Sequence, residues 1–191
     1  GKNRGALHFD GSTHYVEYGT NIEFDDKDFT ISAWVQRQGP GIIYSGNGNP
    51  IFSQRTYAAG DGNPNVSLNI MPIADGSLLQ LQLRTTVGGQ LDSYSTSAIP
   101  DNVWTHVAVT KTSDQIELYI NGALDNTVSH TKTGDFDAGS SYRYIGRLEW
   151  QSTLRGTFEG LIDDVRIYNR ALSSDEIADL YVATGGDGTQ P

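Results

Sequence analysis

The sequence predicts an all-β protein, a two-sheet antiparallel jelly-roll sandwich with one short C-terminal helix. Apolar and polar residues alternate over short segments such as residues 29–35, and this alternation is the period of a half-buried strand. Turn dipeptides separate the segments. The strongest is Asn121-Gly122, because a type I′ turn needs positive φ at both central residues. No helical segments alternate with the strands, so a two-layer antiparallel sandwich is favoured over a parallel α/β fold.

The strands are predicted in order from this alternation and from the turns between them. Asp75-Gly76 separates two of them as a hairpin dipeptide, and residues 87–90 and 112–114 turn the chain again. Two long glycine-rich stretches, residues 39–50 and 56–65, read as loops, and loops of this length are often functional. Beyond the opening strand near residue 7, the predicted strands cover residues 29–35, 66–70, 78–86, 104–110, 115–120, 142–148 and 158–168.

The single helix is predicted from its start signal. Ser173 followed by Glu176 fits a capping box, in which each residue satisfies a backbone N–H near the other. Ile177, Leu180 and Tyr181 then supply an apolar stripe at helical spacing. The helix should therefore pack one face against the sandwich.

Length and composition favour one domain over residues 1–183, followed by a flexible linker or tail over residues 184–191. The chain has no cysteine, so disulfides are excluded, and no apolar run is long enough for a membrane span. The formal net charge of −10 argues against nucleic acid and against anionic membranes as partners. The acids concentrate towards the two ends of the sequence, whereas residues 29–60 hold none.

Five motifs carry a family resemblance. They are residues 7–16, 29–35, 104–110, 118–122 and 160–173. In this order, and over nearly the whole chain, they resemble the laminin-G-like, concanavalin A-like superfamily, and most of all its bacterial branch, which is related to pentraxins. The resemblance implies a jelly-roll sandwich with one concave and one convex sheet. Members serve in carbohydrate binding, protein adhesion or structural spacing, so the fold alone does not decide the function.

On this basis we expect a non-catalytic, lectin-like carbohydrate-binding or adhesion module of a larger secreted or surface protein. Its expected partner is a polysaccharide, with an acidic glycan as the sharper hypothesis. The alternative is a protein–protein adhesion domain or a structural spacer attached to an enzyme. An enzyme is not expected, because no strand carries the alternating carboxylates that glycoside hydrolysis on this type of sandwich uses.

A structural calcium ion is also expected. Ca²⁺ prefers carboxylate and carbonyl oxygens, and the resemblance implies an ion near the first and last strands. The predicted ligands are Asp10, the carbonyl of Gly11 and Asp163. The competing interpretation is that Asp10 only caps its own turn and Asp163 only accepts backbone N–H bonds.

Sugars are bound by aromatic rings and by polar side chains that hold the hydroxyls, and guanidinium groups suit carboxylated or sulfated sugars. Trp150 has polar neighbours, whereas Tyr15, Tyr119 and Tyr168 fit core positions. Gln82 and Arg84 alternate on one strand and should share a sheet face, which would be either solvated or the lining of a groove. The predicted ligand-binding residues are Tyr44, Arg55, Tyr57, Gln82, Arg84, Arg143, Arg147 and Trp150.

Overall fold

The computed structural model describes residues 5–19, 22, 24, 27–43, 48–56, 65–74, 76–85, 89–131, 136, 141–150 and 153–186, with the side chains of residues 56, 141, 142 and 150 excepted. Two six-stranded antiparallel sheets pack face to face, and a two-stranded hairpin and one helix lie outside them. This confirms the predicted all-β sandwich with a C-terminal helix.

Sheet I has the strand order β1-β14-β3-β8-β9-β10, and sheet II has the order β2-β11-β4-β5-β6-β7. The hairpin consists of β12 and β13. The elements are β1 (Leu7–Asp10), β2 (Val16–Glu17), β3 (Phe29–Arg37), β4 (Asn49–Thr56), β5 (Asn65–Ile73), β6 (Gly76–Arg84), β7 (Gln90–Ala98), β8 (Thr105–Lys111), β9 (Gln115–Ile120), β10 (Ala123–Ser129), β11 (Ser141–Ile145), β12 (Arg147–Trp150), β13 (Thr153–Thr157), β14 (Glu159–Tyr168) and α1 (Ser174–Ala183).

The main core lies between the two sheets, where alternate residues of each strand point inward. Sheet I contributes fully buried residues such as Ile31 and Val109, and sheet II contributes residues such as Leu68 and Leu81. Because the intervening residues of each strand point the other way, the same alternation determines which side chains form the outer face of each sheet.

Helix α1 packs on part of the outer face of sheet I, over β3, β8 and β9. The capping box between Ser173 and Glu176 is present, and Ile177, Leu180 and Tyr181 are the buried residues of the helix, as the sequence predicts. They pack in a second cluster with Ala108 and Tyr119 of the sheet. Since the helix of the described structure lies on sheet I, the outer face of sheet II becomes the candidate for binding.

The predicted turn at Asn121 and Gly122 is present, whereas one predicted strand is divided in two. Asn121 and Gly122 have φ values of 52° and 83°, so both central residues of the predicted hairpin turn have the expected positive φ. The single strand predicted over residues 142–148 is divided by Gly146, whose φ is 79°. The ring of Phe9 lies where a side chain on Gly146 would project, so this crossing from β11 to β12 needs glycine.

Two residues lie in surroundings that differ from the prediction. Tyr15 was predicted to be a core residue, but it is 43 % exposed, because it precedes the short edge strand β2. Thr184, predicted to begin the linker, is buried and caps α1, so the packed structure continues past residue 183. Across the described residues, α1 is the single helix, and it is too short to span a membrane.

Candidate functional site

The outer face of sheet II is polar over strands β4 to β7. Leu79, Leu81 and Leu83 of β6 point into the core, so Gln80, Gln82 and Arg84 point outward. The antiparallel register aligns these three side chains with outward-facing partners on the neighbouring strands in three cross-strand rows. The arginine row is Arg55, Asn65, Arg84 and Gln90; the middle row is Ser53, Ser67, Gln82 and Asp92; the tyrosine row is Asn69, Gln80 and Tyr94. We call these three rows together the polar face.

The central side chains of the polar face form a hydrogen-bond network. Asn69 donates to Oε1 of Gln80 (3.1 Å), and Gln80 donates to the hydroxyl of Tyr94 (3.1 Å). Asn65 and its neighbours are buried, although they face away from the core, whereas Asp92 and Tyr94 are partly exposed. The buried amides are held rigidly and fix the positions of Asp92 and Tyr94, which is the preorganisation that a binding site needs.

The β12–β13 hairpin packs against β4 and so limits the polar face on one side. The hydroxyl of Ser53 donates to the backbone oxygen of Arg147 (2.6 Å). Gly156 bridges to Ile43, and its Cα lies close to Pro50 at the start of β4. The accessible members of the polar face are therefore Arg55, Arg84, Gln90, Asp92 and Tyr94, together with Arg155 of the hairpin.

Three arginines converge at the end of the polar face marked by the arginine row. Arg55 and Arg84 flank Asn65 on adjacent strands, and Arg155 comes from the hairpin. Burial, and after it the positive charges of Arg84 and Arg155, lower the pKa of Arg55 to about 10. Such an accumulation of like charge favours an anion nearby.

The buried amide of Asn65 lies in the same row. Its nitrogen donates to Oε1 of Gln82 (2.8 Å), and its oxygen has no hydrogen-bond partner within the described part of the chain. A buried acceptor without a partner costs about 1–3 kcal/mol. Because this oxygen exposes almost no surface, it is not a contact for a ligand on the polar face.

Some of the predicted ligand-binding residues lie on the polar face, some lie outside the described residues, and Arg147 and Arg143 lie elsewhere in the structure. Gln82, Arg84 and Arg55 come together on the polar face. Tyr44 and Tyr57 lie outside the described residues, and only the backbone of Trp150 is described, in β12. These three aromatic residues stay predictions.

Arg147 is the first residue of the hairpin strand β12. Its guanidinium is 4.4 Å from the ring centroid of Tyr15 and forms an ion pair with Glu149. Glu149 also accepts a hydrogen bond from the hydroxyl of Tyr144 (3.1 Å), and the ring of Tyr144 meets that of Tyr15 edge to face. Arg147 thus organises a small aromatic cluster next to the polar face.

Arg143 points towards the core side of sheet II, because its register partner is Gln54, which alternates with the outward-facing Ser53 and Arg55. It is 1 % exposed. Its guanidinium donates to Oε1 of Gln54 (2.7 Å) and to the backbone oxygens of Gly19 and Ile22. These contacts hold the segment that follows β2, so Arg143 has a structural position and does not lie on the polar face.

The residues predicted to bind calcium do not come together. Asp10 pairs with Glu159 across β1 and β14, so Asp163, four residues further along β14, lies about 13 Å away along the strand. Backbone N–H groups of Ser12, Thr13 and His14 and the Thr13 hydroxyl donate to the Asp10 carboxylate. These bonds, that from His14 first, hold the pKa of Asp10 well below its usual range.

The other two predicted ligands have partners of their own. The carbonyl of Gly11 accepts a hydrogen bond from the hydroxyl of Thr157 (2.6 Å), and one oxygen of Asp163 accepts the N–H of Asp164 (2.8 Å). In the described part of the chain, no group of three or more acidic, histidine or cysteine residues is arranged for a metal. The three residues do not fit a shared calcium ion, so calcium binding stays a prediction without a site.

Sequence reasoning missed several members of the polar face. The alternation Asn65-Val66-Ser67-Leu68-Asn69 gave a signal, since its polar positions share one face. Asp92 also belongs to the face, and its strand, β7, was not predicted. No local signal identified Arg155, because the packing of the hairpin on β4 determines where this residue lies.

Together, the fold and the polar face define a β-sandwich with a preorganised polar surface on one sheet. The family profile Laminin_G_3, described as the Concanavalin A-like lectin/glucanases superfamily, matches residues 10–178. The chain therefore belongs to this family, as its sequence motifs indicated. Among curated proteins there is no significant match.

Three solved structures illustrate the likeness. Domain 4 of AbnA, an extracellular arabinanase of family GH43 from Geobacillus stearothermophilus in complex with arabinotriose, is 24 % identical, with 95 % of this chain and 78 % of that chain covered and a TM-score of 0.68. The CBM40 of the Ruminococcus gnavus IT-sialidase bound to α2,3-sialyllactose is 20 % identical, with 95 % and 97 % covered and a TM-score of 0.67.

The third is a heptameric SAP-like pentraxin from Limulus polyphemus, which is 17 % identical, with 96 % of this chain and 83 % of that chain covered and a TM-score of 0.62. At these identities the likeness shows a shared fold. It confirms the predicted relationship to pentraxins and to carbohydrate-binding domains at the level of the fold.

Proposed function

We propose that this domain is a non-catalytic module that binds polysaccharide on the polar face of sheet II, within a larger secreted or surface protein. The observation that carries the proposal is the buried network of Asn65, Asn69, Gln80 and Gln82 on the outer face of a sheet. These amides lie beneath the surface and hold the partly exposed Asp92 and Tyr94 in place through Gln80, and polar groups fixed in this way can discriminate among sugar hydroxyls.

The solved relatives support the same function. Domain 4 of AbnA was determined with arabinotriose, and the sialidase CBM40 with sialyllactose. Both are domains of larger enzymes, and such an arrangement keeps an attached domain close to its polymer through effective concentration. We extend this role to the present chain as a proposal.

A binding role also fits the carboxylates of this region better than a catalytic role. Asp92 accepts hydrogen bonds from the amides of Gln80 and Gln90, and Glu149 accepts from Arg147 and Tyr144. Glycoside hydrolysis needs two carboxyl groups facing each other across the scissile bond. Each of these two carboxylates instead supports a neighbouring donor.

The test is retention on an array of neutral and acidic polysaccharides in affinity electrophoresis, with wild type and two variants. Gln82→Ala removes the centre of the polar face. Gln36→Ala is the matched control, because Gln36 lies on sheet I and donates only to the backbone oxygen of Asn102 among its described contacts. We expect a retained polysaccharide to be lost with Gln82→Ala and kept with Gln36→Ala. A blank array with folded wild type would overturn the proposal in favour of protein adhesion or a spacer.

A further inference from the structure

The charges of the polar face are unevenly distributed along the strands. The arginine row and Arg155 place three guanidinium groups at one end. The next row contains Asp92, and the row after it contains the neutral Asn69, Gln80 and Tyr94. Successive rows are two residues apart, or about 7 Å, so the arginine row lies about 14 Å from the tyrosine row. This span is longer than one sugar ring.

We propose that Arg55, Arg84 and Arg155 bind the anionic group of an acidic sugar unit and that the glycan continues from there past Asp92 towards Tyr94, where a neutral unit is bound. The inference rests on the proposed polysaccharide-binding function and deepens it. The ligand class is a glycan in which a carboxylated or sulfated unit is followed by a neutral one.

Arg84 shows why the end of the face suits an anion. Its guanidinium donates to Oε1 of Gln90 (3.0 Å), which is a neutral acceptor. Among the described residues, the ion pairs of arginines with carboxylates lie elsewhere and leave Arg84 without one. A planar guanidinium can bind a carboxylate or sulfate group through two parallel hydrogen bonds.

The accessible groups at this end of the face are the cationic ones. Arg55, Arg84 and Arg155 are partly exposed, whereas Asn65, which lies between Arg55 and Arg84 in the arginine row, is 1 % exposed. An anionic group bound here would therefore meet guanidinium groups and not the buried amide.

Asp92 determines which kind of sugar unit can follow the anionic unit along the polar face. Its carboxylate accepts from Gln90 (2.6 Å) and from Gln80 (3.4 Å), so it is part of the surface over which the second unit would lie. A second anionic group at this place would face a negative charge and be disfavoured, and a neutral unit would not. The polar face thus selects against polymers in which every unit is charged.

The experiment compares three kinds of polysaccharide. Hyaluronan and κ-carrageenan alternate an acidic and a neutral unit, pectate and alginate carry an acid on every unit, and arabinan and laminarin are neutral. We expect the strongest retention on an alternating polymer. Carboxyl reduction or desulfation of that polymer should weaken binding by about tenfold or more, and which of the two treatments applies identifies the anion.

Variants separate this inference from the proposed function. Arg84→Gln should weaken binding of the alternating polymer by about tenfold and leave its neutralised form unaffected. Arg166→Gln is the matched control, since it removes the same charge from an exposed position on sheet I. Strongest binding to a neutral or fully charged polymer, or an equal effect of Arg84→Gln on both forms, would overturn the inference while polysaccharide binding stands. Binding to none of the polymers would overturn both.

Discussion

The amide nitrogen of Asn65 donates a hydrogen bond of 2.8 Å to Oε1 of Gln82 across strands β5 and β6. Both side chains are buried on the outer face of the sheet. The bond connects the arginine row to the middle row and fixes the orientation of the side-chain amide of Asn65.

Replacement of Gln82 by Met should test this bond. Methionine keeps the size of the side chain but removes the acceptor, so the buried N–H₂ group of Asn65 loses its partner. We expect the free energy of unfolding to fall by about 1–3 kcal/mol, as urea denaturation would measure. Gln36→Met, the same change at a partly exposed position on sheet I, should cost less. An equal loss in both variants would contradict the role of the hydrogen bond.

Arg143 gives a second prediction, because it was a candidate ligand-binding residue and lies on the core side of its strand. Arg143→Met should lower the free energy of unfolding by about 3 kcal/mol, since the carbonyls of Gly19 and Ile22 and the amide of Gln54 lose their donor. The folded variant should bind polysaccharide as well as wild type. Loss of binding without loss of stability would return Arg143 to the binding site.

Thr184 gives a third prediction. Its hydroxyl accepts a hydrogen bond from the indole N–H of Trp34 (2.8 Å) and donates to the carbonyl of Leu180 (2.7 Å). Thr184→Val preserves the shape and removes both bonds, which should cost about 1–3 kcal/mol of unfolding free energy. Thr184→Ser keeps the hydroxyl and should cost less. The comparison fails if valine and serine are equally stable at this position.

His106 predicts how stability depends on pH. Burial, and then the charge of Arg166, lower the pKa of its imidazole from 6.5 to about 4. The unfolded chain therefore takes up the proton at a higher pH than the folded chain. Stability from this group is complete above the unfolded pKa and is lost as pH falls towards the folded pKa, by about 3 kcal/mol in all.

The measurement is urea unfolding at several pH values for wild type and His106→Gln. We expect the stability of the variant to fall less steeply between about pH 7 and about pH 4 than that of wild type, because glutamine takes up no proton there. Parallel pH profiles for the two proteins would rule out His106 as the cause.

Chelation provides a fifth prediction. The carboxylate of Asp10 is occupied by the N–H groups of its own loop, and Asp163 lies further along the neighbouring strand. Asp10→Asn and Asp163→Asn should therefore leave any shift of the Tm caused by calcium or EDTA unchanged, because the two carboxylates do not share a site. A rise in Tm with calcium would show a cation site formed by other residues.

Local signals predicted the elements that depend on neighbouring residues. The turn at Asn121 and Gly122 follows from backbone sterics, and the start of α1 follows from the reciprocal bonds of Ser173 and Glu176. Strand alternation alone predicted that Gln82 and Arg84 lie on the same face of β6. In these cases the structure agrees with the sequence because the relevant contacts are within a few residues.

Long-range packing determined the residue positions that local signals did not predict. The alternation in β11 is visible in the sequence, but which of its two faces meets the core depends on its pairing with β4, and this placed Arg143 inward. The register of β1 against β14 likewise placed Asp10 opposite Glu159. Arg155 joins Arg55 through the fold of the hairpin. None of these three contacts can be predicted from the sequence of a single strand.

The uncharged amides at the centre of the polar face have a consequence for the conditions under which the module would hold a polymer. Asn65, Asn69, Gln80 and Gln82 do not titrate, and even the shifted pKa of Arg55, about 10, lies far above neutrality. Mild acidification would therefore leave attachment nearly constant, whereas added salt would weaken its ionic part. Salinity, and not acidity, would regulate release.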